Sequence, residues 1–196
     1  MECTVSWTGG TTGMRSGMGF VAETGSGHVV NMDGAPDAAN PANGGQNQAP
    51  RPMEMLLAGA GGCTAYDVVL ILKRGRHAVK GCSVKLTSER ADNDPKVFTK
   101  IHMQFTVSGT GLPAGAVERA IAMSHDKYCS ATIMLGKTAE IVTSFELKAG
   151  SLTGERDHWR SGSIAARAKA RSRPPVNHNQ VGKDRQSSKI GWDSNG

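Results

Sequence analysis

Apolar and polar residues alternate most regularly between Val97 and Val107. Val97, Thr99, Ile101, Met103, Phe105 and Val107 share one side, with Lys100, His102, Gln104 and Thr106 on the other. A strict period of two predicts a half-buried strand. Cys82–Arg90 alternates in the same way and is joined to it by Ala91-Asp92-Asn93-Asp94-Pro95, a turn. Shorter strands are expected at Cys3–Trp7, about Met18–Glu23 and His28–Met32, with Gly25-Ser26-Gly27 as a turn, and a last one at Glu140–Leu147. Helical spacing governs Pro113–Met123, where Val117, Ala120 and Ile121 share a side. It governs also about Lys127 to Leu135, which Gly136 stops. Asp126 is a plausible N-cap for this last helix, which would put Cys129 at its third position, near amides and Lys127 that favour a thiolate.

The longest apolar run is Met53 to Lys73. It has the length of a membrane span. It also carries Glu54 and Asp67, and its first half is small residues, Ala58 to Gly62. That composition predicts a core helix wrapped by strands, an α+β domain with no membrane association. One small sheet cannot cover a helix apolar all round, so a dimer partner is expected to cover the rest. Residues 34–50, GAPDAANPANGGQNQAP, have no apolar period and read as a flexible loop.

Composition separates the two ends of the chain. Residues 150–196 hold nine basic and four acidic residues, most of the +6 net charge of all 196 residues. Only five of those 47 are Val, Ile, Leu or Phe. Such a segment cannot offset the entropy of ordering it. The chain therefore divides into a domain over 1–148 and a basic, disordered tail over 149–196. A solvated tail is expected, not a nucleic-acid site. The start, MECTVSW, has no secretory leader, so a reducing cytoplasm is the expected compartment. The four cysteines, Cys3, Cys63, Cys82 and Cys129, form no CxxC pair, which excludes a zinc ribbon or thioredoxin-type motif. Cys3 and Cys82 fall in strands and read as structural.

Two segments carry more specific information. They are Pro52-Met53-Glu54-Met55 with Gly61-Gly62-Cys63-Thr64-Ala65-Tyr66-Asp67-Val68-Val69, and Lys127-Tyr128-Cys129-Ser130. Together they resemble the OsmC/Ohr family (organic hydroperoxide resistance and osmotically inducible proteins). GHVVNMDG and KLTSERADNDPKVFTKIHMQF resemble its YhfA-like branch. The resemblance covers about residues 1–148. It implies antiparallel sheets wrapped around long central helices in an intertwined homodimer. It also implies a thiol peroxidase for organic hydroperoxides that needs no cofactor and no metal. In that scheme Cys63 becomes a sulfenate, Cys129 resolves it as a disulfide, and a dithiol reductant, such as a lipoyl-type dithiol, resets the pair. Arg15, in Arg15-Ser16-Gly17, and Glu54 would hold the thiolate.

Two features depart from that pattern. Glu54 follows Pro52 at one remove, and nine residues put it across a straight helix from Cys63. It reads equally well as a first-turn residue complementing the helix dipole. Asp67 is four residues from Cys63, on the same face, where its charge would raise the thiol pKa. The alternative is therefore a redox-inactive protein of the same fold that binds a small apolar ligand. A thiolate metal site of Cys63, Cys129 and His125 lacks a fourth ligand at recognisable spacing.

Overall fold

A computed structural model describes residues 1–9 and 17–150. Arg15 and the basic tail lie outside the described residues. The first sheet runs β1 (Cys3–Trp7), β2 (Phe20–Thr24) and β3 (Val29–Met32), antiparallel in that order. Gly27 takes a φ of +79° in the β2–β3 turn, a conformation open mainly to glycine. The helix α1 follows (Pro52–Arg74), then β4 (Ala78–Arg90), β5 (Phe98–Thr110), α2 (Ala114–Met123), α3 (Ser130–Leu135) and β6 (Glu140–Ala149). The second sheet has the order β4-β5-β6.

The architecture is mixed α+β, with two sheets and helices. One expectation fails: the sheets are not all antiparallel. β4 and β5 form an antiparallel hairpin, but β5 and β6 run parallel, with Ile101 opposite Ile141 and Phe105 opposite Phe145. Parallel neighbours require a crossover. Here α2 and α3 supply it, carrying the chain back to the starting end of β5.

The alternation in β5 also breaks at its start. Ile101, Met103, Phe105 and Val107 are buried as expected, whereas Val97 and Thr99 are exposed and Phe98 is buried in their place. The cause is an irregularity in pairing: Glu89 faces Lys100 but Arg90 faces Phe98, leaving Thr99 as the extra residue. A bulge of one residue turns the preceding side chains to the other face.

α1 extends one residue beyond the apolar run at each end. Pro52 opens it, and Glu54 Oε2 accepts the Arg51 N–H at 2.9 Å, closing the first turn. Ala60, Gly61, Thr64, Val68 and Leu72 form its buried face. This face packs on β4 and α2 around Ile101, Met103, Phe105, Val107, Val117 and Ala120. Gly61 lets the helix sit close to the sheet, since a Cβ there would lie 2.7 Å from Leu86 Cδ1. The helix has the length and apolarity of a membrane span. Its opposite face, including Leu56, Gly59, Gly62 and Tyr66, is exposed in the single chain.

The first strand is similarly bare. Every residue of β1 is exposed, with Val5 at 56% and Trp7 at 65%. Behind it, segment 34–50 contains no helix or strand and is organised by one buried carboxylate. Asp33 accepts the N–H groups of Gly34 (2.7 Å), Gln46 (3.1 Å) and Gln48 (2.9 Å). Gly45 passes so close that a Cβ would overlap the Gly34 carbonyl and Asp33 Oδ1.

Candidate functional site

Cys63 sits midway along α1, half-buried, at the edge of the face that meets α2 and α3. Cys129 reaches it from the far end of the crossover. Between α2 and α3 the chain makes one π-helical turn, Ser124–Tyr128, closed by Cys129 N–H donating to the Ser124 carbonyl at 2.8 Å. Such turns cluster at functional sites because the extra residue redirects the side chains that follow. The expected helix over 127–135 is thus divided. Asp126 is not its N-cap; Cys129 is, with β-region backbone and a carbonyl that accepts Ile133 N–H at 3.0 Å and Thr132 O–H at 3.0 Å. The thiol of Cys129 is fully buried.

This geometry brings the Cys63 and Cys129 sulfurs and an Asp67 carboxylate oxygen within 4.8 Å of one another. The first turn of α3 serves Cys63 and not Cys129, because the Ala131 N–H points to the Cys63 sulfur. That amide favours the thiolate. It is outweighed by burial, the largest effect, and by the hydrogen bond that the Cys63 S–H donates to the Cys129 sulfur. Negative charge on the Asp67 carboxylate, and on the Cys129 sulfur whenever it ionises, acts in the same direction, and the Cys63 thiol is pushed above its ordinary value.

Asp67 is held in place. Ser124 Oγ donates to Asp67 Oδ2 at 3.0 Å, and Thr64 Oγ1 lies 2.9 Å from Ser124 Oγ. Ser124 has one proton, given to an acceptor-only carboxylate, so the Thr64 hydroxyl donates to Ser124. Thr64 and Ser124 are both buried. Sequence reading missed them: their separation of 60 residues offers no periodic signal, and isolated hydroxyl residues are common. Among the described residues no cation pairs with Asp67.

The other candidates are dispersed. Glu54 is exposed and committed to the cap of α1, about nine residues or roughly 13 Å of helix rise from Cys63. His125 is half-buried and its Nδ1 has no partner among the described residues. Lys127 does not lie against the sulfurs but over the Tyr128 ring, at 5.5 Å. Cys82, inside β4, is pushed up to about 11 by burial, which makes it a poor nucleophile. Cys3 is exposed on β1.

A mixed α+β fold with two distant cysteines meeting beside a long helix defines a class, and sequence comparison assigns it. Residues 45–144 match the family described as OsmC-like protein. The chain belongs to that family. It is 45% identical over 149 residues to Protein YhfA of Escherichia coli (strain K12), covering 76% of this chain and 99% of the relative. Among solved structures, a hypothetical protein from Aquifex aeolicus VF5 is 25% identical, with a TM-score of 0.62, covering 76% of this chain and 97% of that one. An organic hydroperoxide resistance protein OsmC from Legionella pneumophila shares the fold at 17% identity and a TM-score of 0.53, covering 74% of this chain and 97% of that one.

Proposed function

We propose that the protein is a two-cysteine thiol peroxidase that reduces organic hydroperoxides. One observation carries the reading: Cys63 and Cys129, 66 residues apart in the chain, have sulfurs within bonding reach after a small rotation. The half-exposed Cys63 is the peroxidatic residue and the buried Cys129 the resolving one. The Cys63 thiolate attacks the distal peroxide oxygen, the O–O bond breaks, and the departing alkoxide takes a proton to leave as an alcohol. The resulting sulfenic acid loses water to the Cys129 thiol, giving a disulfide. A dithiol reductant restores both thiols by exchange. The Ala131 amide assists the thiolate. Arg15 is the cation assigned to it, and Glu54 acts by fixing the first turn of α1.

The same reading makes the working unit a cytoplasmic homodimer. The bare faces of β1 and α1, with Trp7 and Tyr66 at 65% and 69% exposure, are apolar surface that a second copy would cover.

A second reading is favoured by the elevated Cys63 pKa. In it the fold binds a small apolar ligand without redox chemistry. A groove of ≈ 400 Å³ along the outer side of α1, lined by Gly62, Ala65, Tyr66, Val69, Leu70 and Lys73, suits such a ligand.

Stopped-flow oxidation by cumene hydroperoxide and by hydrogen peroxide, with thiols counted before and after, separates the two. The peroxidase reading expects rapid loss of two thiols per chain, faster with the organic peroxide, and no turnover in Cys63→Ser. Oxidation no faster than that of a free thiol selects the binding reading.

A further inference from the structure

The donor set at the cysteines is more than a thiol pair. Two sulfurs and a carboxylate oxygen lie within 4.8 Å of one another, and Asp67 is oriented by a buried hydroxyl chain, Thr64 to Ser124 to Asp67. Tetrahedral zinc with Zn–S near 2.3 Å and Zn–O near 2.1 Å sets its ligand atoms roughly 3.5–3.8 Å apart. Small χ1 adjustments close the remaining difference. The orienting hydroxyl is the kind of outer partner that fixes a metal-binding carboxylate. When both thiols ionise, three anionic groups crowd a partly buried site. A divalent ion reverses the sense of that crowding: each anion that hinders its neighbours becomes a ligand.

We propose that Cys63, Cys129 and Asp67 form a three-ligand site for a zinc-type divalent cation in the reduced protein. The fourth position is open to water. Soft thiolates select zinc over magnesium or calcium. Binding displaces the two thiol protons, one from each cysteine, and leaves the sulfurs in the oxidation state in which they arrived. A Cys63–Cys129 disulfide has no thiolate left to coordinate, so metal and disulfide exclude one another. The site does not depend on peroxide turnover.

The test uses the reduced, EDTA-stripped full chain, titrated anaerobically with Co²⁺ and then displaced by Zn²⁺. The expected result is a thiolate-to-cobalt absorption band with tetrahedral visible bands, saturating at about one ion per chain. Asp67→Asn discriminates the carboxylate ligand from mere charge. Removing the negative charge eases thiol ionisation but also weakens the attraction for a dication, so affinity alone does not separate ligand from charge. A lost ligand is reported by at least about a tenfold loss in affinity together with a shift of the tetrahedral visible bands of the cobalt form. Cys129→Ser should lose affinity as well and weaken the thiolate band. Thermal melts of the metal-free variants show that each is folded. A wild type without the thiolate band, or an Asp67→Asn variant binding as tightly as wild type, overturns the proposal. Peroxide turnover measured in EDTA is independent of these results, so failure of the metal site and failure of the peroxidase reading are separately visible.

Discussion

Asp67 adjusts the chemistry at Cys63 without dominating it. It adds to burial and to the Cys129 hydrogen bond in holding the thiol protonated, and it is the smallest of those effects. Asp67→Asn should lower the Cys63 pKa and speed alkylation by iodoacetamide at pH 7 by about two- to fivefold, read from the pH profile of the rate. An unchanged profile would mean that the carboxylate does not face the sulfur. Cys82 offers a cleaner titration. Its folded pKa of about 11 lies above the ordinary 9.0, so the folded state keeps a proton that the unfolded chain releases first. The sign follows: stability is undiminished below pH 9 and falls as pH rises towards 11. Denaturant midpoints across that range should drop less in Cys82→Val than in wild type. The proximity of Asp67 to Cys63 was legible from an i, i+4 spacing on one helix. Cys129 was legible only through resemblance, since 66 intervening residues carry no geometric information.

At the scale of elements, two local devices position the site. The π-helical turn at Ser124–Tyr128 makes Cys129 the cap of α3 and lets the Ala131 amide reach Cys63. A helix read from periodicity alone runs straight through this segment, because one extra residue in a turn is set by packing and leaves no mark in composition. The other device is Asp33, which receives three backbone N–H groups from the segment leading into α1. Asp33→Ala removes an acceptor that water replaces only in part, since Gln46 and Gln48 are exposed and the Gly34 N–H also reaches the Met18 carbonyl at 3.2 Å. The expected outcome is a loss of about 1–3 kcal/mol in all in chemical denaturation, together with faster amide exchange at Gln46 and Gln48. Exchange rates equal to wild type would show that the carboxylate does not hold the segment. A 17-residue run of turn formers looked featureless in sequence because its order comes from a side chain just outside it.

At the scale of the whole molecule, the single chain leaves apolar surface on β1 and on the outer face of α1 uncovered. A second copy provides that cover in the proposed dimer. Light scattering should give twice the chain mass. Trp7→Glu or Tyr66→Glu should shift the mass towards monomer, since a charge placed in a buried apolar interface goes unpaired. A monomeric wild type would remove the dimer from the proposal and leave these faces without an occupant.

The sequence by itself determined the identity and order of the main elements, because burial on one side imposes periods of two and 3.6 along the chain. It placed α1 and the β4–β5 hairpin. Tertiary structure decided the rest. Whether β6 runs parallel to β5, where a bulge reverses the alternation at Phe98, and that Thr64 and Ser124 orient Asp67 all depend on pairing between distant segments. Such pairing is settled by what packs against what, and periodicity along one segment does not record it.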